Sequence, residues 1–562
     1  MISKTVLPTK FRFIRIICFY FPLLVLSISA NAFAPGVPVN LSQIASNNDV
    51  FGSFKLSPDG KVVVYRARSE QSGDLDLYSV PVAGGEPINL TADIPGDASF
   101  LFAISNDSSK IVYTHVDPQN ELSLRLASVP SSTGVFVSKV LSGNLVNTPT
   151  RINNFLISAD SSHVVYSART SFAPRYRLYS MPLVAPIPDE PTIIAGRNSG
   201  PNQNIFAFQF VPNQNRIVYL GDLDEQGKFE LYAGPSDTHR EGEKLNVTLA
   251  SGRNVSEFDV SPDGNYVVYI ADARVVGLNE LYSTSLLVPE FNKLNPNTIA
   301  STEDIFNFKI SPNSQHVVYL SNERNVAIDE LFSVPINDNG GGRSTRISTD
   351  LPQDGDVRQN YEISPNSARV VYLADVVDER FQLFSTLISS KSTTTLTPNI
   401  GINEAVQNFS FNKSGAHVVY QLVNTESIPS VTNIYSVRVT GGENISLSAT
   451  DSGNFIGSRT VHPELDRVFY LSDQRHDSLF ELFSSKVTGP SGSSRLLNTP
   501  LSPLSSYEGV LQFTVSNDGK YLVYLADQDI AGKRELYSVE LDASSICFPI
   551  KARNSNVAMI CL

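Results

Sequence analysis

Cysteine is nearly absent from this chain, with three in 562 residues at Cys18, Cys547 and Cys561. Histidine is scarce too, at seven, and no H-E-x-x-H or Cys/His cluster supplies a zinc site. No G-x-S-x-G occurs, so the nucleophile elbow of an α/β-hydrolase is missing. Basic side chains are outnumbered, 43 against 56 acidic, for a formal charge of -13. An acidic surface repels phosphate backbones, so neither nucleic acid nor anionic membrane is an expected partner. Nor does any Gly/Pro-rich shift inside the chain mark a domain boundary.

A long apolar run is present only at the start. Lys4, Lys10, Arg12 and Arg15 precede "IICFYFPLLVLSISA", and Ala30 and Ala32 then stand where a signal peptidase needs small residues. Residues 1–32 therefore read as a secretory signal, with an apolar core short for a membrane span; a lone uncleaved anchor is the alternative. Its removal deletes those four basic residues and no acidic one, which takes the formal charge from -13 to -17. The expected location is periplasmic or secreted, with no membrane insertion afterwards. Cys18 leaves with the signal. Cys547 and Cys561, in a tail at 546–562, are expected to form one disulfide, as two cysteines in an exported protein most simply do. A two-cysteine metal site is the rival, without a nearby histidine.

What the chain does have is repetition. An aromatic, an apolar residue, Ser-Pro, a turn and then apolar-apolar-Tyr recur ten times, as in "FKLSPDGKVVVY" (54–65), "FDVSPDGNYVVY" (258–269), "FKISPNSQHVVY" (308–319) and "FTVSNDGKYLVY" (513–524). Successive copies begin 48 to 54 residues apart, a period that signals a propeller or solenoid of short β-segments. Pro fixes φ in the turn, Asp, Asn or Gly tolerate the bend, and Val, Ile and Tyr on either side favour pleated backbone. "NELYS" and "DELFS" supply a third strand, and segments such as "EPINLT" (86–91) and "ENISLS" (443–448) a fourth. The tenth copy lacks a fourth strand, but "VPVNLS" (37–42) before the first copy resembles one. The expected fold is all-β: a β-propeller of ten four-stranded blades over 33–545, one ring closed by the N-terminal strand. Two smaller propellers are the alternative.

At "SPDGNYVVYIAD" and "NELYS" the chain resembles the TolB-type, WD-like β-propeller repeats, also found in the propeller domains of tricorn-like and prolyl oligopeptidase-family proteins. The resemblance spans nearly the whole mature chain and rests on residues that make turns and blade cores. It implies a propeller of the kind that serves as a protein-binding platform or as a gate on a peptidase domain, and residues 546–562 are too short to be such a domain.

Candidate chemistry is sparse. His163, His316 and His417 share a slot before "VVY" that elsewhere holds Lys or Arg, so it reads as solvent-facing; His462 reads as a turn variant, and His115 as lying near a connection. "GDLDEQGK" (221–228) and "ADQDIAGK" (526–533) offer alternate Asp residues, a weak calcium signal without the remaining ligands; otherwise no cofactor is expected. Asp272, Asp375 and Asp527 read as turn caps, and Glu280, Glu330, Glu481 and Glu535 as structural. One polar set converges. Asn154, Asn307, Asn360 and Asn408, with Glu257 and Gln512 in equivalent slots, precede the aromatic of the innermost strand and could ring the channel mouth. The rival account has these amides satisfying backbone at blade junctions. The expected function is an exported, non-enzymatic scaffold that binds a protein or extracellular ligand. A carbohydrate-active or peptidase-like enzyme at the channel mouth, or a remnant that lost a hydrolase domain, are the other readings.

Overall fold

The computed structural model describes residues 35–541 apart from 43–48, 53, 70–72, 131–137, 144–150, 170–174, 197–202, 241, 297–303, 341, 378–379, 399, 425, 427–429, 449–454 and 502–507, together with the backbone of 547–551 and 557–561. The signal reading of 1–32 lies outside these residues. No described helix is long and apolar enough to cross a membrane.

Ten four-stranded antiparallel sheets succeed one another along the chain as blades 1 to 10, each with strands A to D from inside to outside. Blade 5 is representative, with A at Val255–Val260, B at Tyr266–Ala271, C at Glu280–Ser285 and D at Phe291–Lys293. Blade 10 takes only three strands from its own stretch of chain. Its strand D is Val39–Asn40, paired to strand C (Glu535–Glu540) with Val39 opposite Ser538 and Asn40 opposite Tyr537.

A recurring hydrogen bond identifies that strand as a true member of the series. In other blades the first apolar amide of strand C donates to a side-chain oxygen just past the strand D leucine or isoleucine: Leu77 to Thr91, Leu281 to Asn295, Leu383 to Thr397 and Leu482 to Asn498. In blade 10 the amide of Leu536 donates to Ser42 Oγ at 3.1 Å, 494 residues away in sequence. Asn246 fills this acceptor position in blade 4, taking the Leu231 amide at 2.7 Å, and Asn89 of blade 1 donates to Asp76 Oδ2 at 2.7 Å.

Apolar clusters join neighbouring blades. Leu41, Val50 and Tyr65 pack on Val523, Leu525 and Leu536 across the closure, and Val268, Ile270 and Leu281 of blade 5 pack on Ile305, Phe308 and Val317 of blade 6. A two-propeller chain would break between blades near its middle. The core runs through that point unbroken, and the ten blades form one ring. Within each blade but the second, the strand B tyrosine stacks on an aromatic of strand C, as Tyr269 does on Tyr282 with centroids 5.4 Å apart; blade 2 sets Arg125 opposite Tyr113.

The A–B turns lock blade to blade. Their fourth residue has φ near +60°, as at Gly60, Ser108 and Ser314, a conformation that costs a non-glycine residue energy. Serine is kept there because its hydroxyl receives the turn amide of the preceding blade: Asp59 to Ser108, Asp107 to Ser161, Asp263 to Ser314 and Asn313 to Ser367. In blade 9 His462 stands at the first position of the turn, where most blades have Ser. Its Nδ1 accepts from the amides of Glu464 and Leu465, so Nε2 carries the proton toward Ser516 O of blade 10 at 2.9 Å.

Contacts divide the chain into a unit at Pro35–Asp542 and a second that includes the C-terminus. There Cys547–Lys551 pairs with Val557–Cys561, and the backbone register sets Cys547 opposite Cys561. Their side chains lie outside the described residues.

Candidate ligand-binding site

Strand A carries a β-bulge at the same place in blade after blade. In blades 3, 5, 6 and 8 a buried aliphatic and a buried or half-buried aromatic stand three residues apart: Ile152 and Phe155, Val255 and Phe258, Ile305 and Phe308, Val406 and Phe409. Both must face the neighbouring blade, yet a strand returns to one face only every second residue. One extra residue is therefore extruded, and pairing with strand B skips register after Ile152, Val255, Ile305 and Val406. Bulges re-aim side chains, and here they do so at the rim where strand A meets the B–C loops.

The amide set predicted from the sequence sits in these bulges. Asn154, Glu257, Asn360, Asn408 and Gln512 are exposed, and Asn307 is half-buried. The bulges thus bring Glu257, Asn307, Asn360 and Asn408 to consecutive blades 5 to 8, whereas Asn154 stands apart on blade 3 and Gln512 on blade 10. Their recorded bonds stay within the blade: Asn154 Oδ1 accepts from the Phe155 amide, and Asn408 Nδ2 donates to Gln421 Oε1 at 3.1 Å. Asn307 Oδ1 is buried with no hydrogen-bond partner among the described residues.

Sequence reading missed the charges just below. The residue after the strand A aromatic is Asp259 in blade 5, Lys309 in blade 6 and Glu362 in blade 7, and in blade 9 Arg459 replaces the aromatic itself. The signal was present as "FD", "FK" and "YE", but attention fell on the residue before the aromatic. Gln209 Nε2 donates to Asp259 Oδ1 at 3.1 Å across blades 4 and 5. Burial, and then Asp259, push the Glu257 carboxyl up. Burial likewise raises Glu362, against the pull of Lys309, the Phe411 amide and Arg459.

Other candidates have tasks inside the blades. Asp272 and Asp527 cap turns by accepting from backbone amides, Asn254 at 2.6 Å and Gly277 at 3.0 Å for the first, Gly509 and Gly532 at 2.9 Å each for the second. Asp375 accepts from the Asp356 amide. In the two stretches that suggested calcium, Asp222 bonds the amides of Asn204 and Gly227, and Asp527 serves as just described. Glu280, Glu330, Glu481 and Glu535 are buried and paired with Lys293, Arg346, Arg475 and Lys533. The histidine slot corrects its expectation. His163, His316 and His417 are half-buried rather than solvent-facing, since each opens the inner strand B opposite a strand C residue, Pro182, Pro335 and Arg438. His115 is corrected as well, since it lies within strand B of blade 2 and is fully buried.

No family model matches the chain, and no curated protein matches it. Solved structures do. An oligogalacturonate lyase in complex with manganese aligns at 15% identity over 70% of this chain and 98% of its own, with a TM-score of 0.33. Prolyl oligopeptidase B from Galerina marginata aligns at 10% over 68% of this chain and 56% of its own, TM-score 0.37. The tricorn protease aligns at 13% over 94% of this chain and 48% of its own, TM-score 0.28. The chain thus spans about half the length of the two peptidases. At these identities and TM-scores, no activity, substrate or metal carries across.

Proposed function

We propose that this protein is an exported, non-enzymatic β-propeller that binds a protein or extracellular ligand at the channel mouth. The observation behind the reading is the bulge. It sets Glu257, Asn307, Asn360 and Asn408 of blades 5 to 8 at the break in the ladder along one rim, whereas the repeated Asp and Glu residues elsewhere serve as turn caps and ion pairs. Convergent polar groups at a concave mouth are what a ligand site requires. The test is capture from periplasmic or secreted fractions by immobilised protein, beside an Asn360→Ala/Asn408→Ala double variant. A partner held by the wild type should be held at least tenfold less by the variant, at equal melting temperature. Equal capture by both would contradict the reading.

One observation favours an enzyme as the second reading. Glu257 and Asp259 share a face of strand A, and the raised Glu257 beside a second carboxyl is the pairing used in acid-base cleavage of glycosides. Turnover of an oligosaccharide that Glu257→Gln abolishes would replace the scaffold reading.

A further inference from the structure

In a repeat protein the departures from the repeat are conspicuous, and the largest on the channel wall is Arg459. Every other blade has Phe or Tyr in this slot of strand A. Arg459 keeps the slot's register, opposite Tyr470 as Phe409 is opposite Tyr420, so the side chain is exchanged without any slip of the strand. The guanidinium leaves the slot. Its Nη1 donates to Ser410 Oγ of blade 8 at 2.6 Å, and its charge is felt by Glu362 of blade 7. Blade 8 stands between blades 7 and 9. A side chain rooted in blade 9 reaches toward blade 7 only along the inner wall.

Lys309 approaches from the other side. Its Nζ donates to Tyr361 O at 2.6 Å, lies 5.2 Å from the centre of that ring, and also acts on Glu362. Two cations and one carboxyl therefore share the wall of blades 6 to 9. Burial lowers Arg459 to about 10, and Glu362 is the charge that opposes this. Nε of Arg459 is buried and has no hydrogen-bond partner among the described residues. With Nη1 engaged by Ser410, the two-nitrogen edge that remains on the guanidinium is Nε–Nη2. This edge takes both oxygens of a planar carboxylate in parallel bonds.

We propose that the inner wall of blades 6 to 9 is a carboxylate-binding subsite, in which the Nε–Nη2 edge of Arg459 holds both oxygens and Lys309 supplies the second positive charge. The proposal rests on the channel-mouth reading and names the group by which the ligand is held. Charge selects carboxylate over phosphate. With Glu362 ionised, one bound carboxylate neutralises the site and any second carboxyl of the ligand lies away from it, whereas a phosphate dianion puts both charges on the one group beside Glu362.

Calorimetric titration of the intact protein tests it with four probes: N-acetyltriglycine, its C-terminal amide, succinate and inorganic phosphate. The free-acid peptide and succinate should bind, with the amide and phosphate at least tenfold weaker. Arg459→Phe restores the residue type of the other blades and should keep the melting temperature while weakening carboxylate binding at least tenfold; Arg459→Lys, which lacks the two-pronged edge, should also weaken it. Lys309→Gln, a change at an exposed side chain, serves as the second variant. Succinate binding without peptide binding would assign the subsite to small carboxylates, and both together to carboxylates generally. The proposal is overturned if neither carboxylate binds, if Arg459→Phe and Lys309→Gln both bind as the wild type does, or if phosphate binds as tightly. Rim-dependent partner capture that persists without carboxylate binding would remove this subsite and leave the scaffold reading standing.

Discussion

At the scale of single residues, His115 shows how a local change acquires a physical consequence. Where blades 1, 3, 5 and 10 place Ala67, Ala168, Ala271 and Ala526, blade 2 places a fully buried imidazole whose two nitrogens have no hydrogen bond of ordinary geometry among the described residues. Burial, and then Arg125, hold it below the usual histidine range, against the Gly96 backbone, Asp117 and Asp76. A depressed value in the folded state means the unfolded chain takes the proton first. The stability this group contributes is therefore present above its unfolded pKa, about 6.5, and lost as pH falls through the folded value. The melting temperature of the wild type should thus fall more steeply between pH 7 and pH 5 than that of His115→Ala; parallel profiles would refute this. The sequence could not reveal His115, because "YTHV" reads as the end of a strand and only the packed blade shows that no water reaches the ring.

At the scale of elements, the strand C amide and its oxygen past strand D form a repeated joint. Removing that oxygen leaves a buried N–H without an acceptor, which costs about 1–3 kcal/mol. Ser42→Ala and Thr397→Val should each lower stability by that amount in urea unfolding, and similarly to one another, because Ser42 does for blade 10 what Thr397 does for blade 7. A negligible loss for Ser42→Ala alone would detach the N-terminal strand from the series. The closing strand was legible beforehand, since "VPVNLS" matches "EPINLT" in type at every residue after the first. The bulges were only half legible. The amides before the aromatic could be read off, but three-residue spacing of buried side chains reads as broken alternation until its partner strand is seen. For the same reason the charges of Asp259, Lys309, Glu362 and Arg459 looked unrelated in sequence and meet only on the curved inner wall.

At the scale of the whole molecule, the ring explains why repeated sequence produced so little apparent chemistry. Each blade needs its neighbours to cover both faces, so most conserved-phase residues serve turns, caps and inter-blade packing, and binding is left to the irregular positions at the mouth. Because the core passes through every blade in turn, residues 35–541 should melt in one calorimetric transition, and two separated transitions would favour two independent propellers. The closing joint itself is open to a direct measurement: amide hydrogen exchange along Glu535–Glu540 in the intact protein and in a chain beginning at residue 43. The account predicts protection in the intact protein comparable to strand C of the other blades, and loss of that protection first in this strand when residues 35–42 are gone. Equal exchange along Glu535–Glu540 in both chains would contradict a ring closed by its own N-terminal strand.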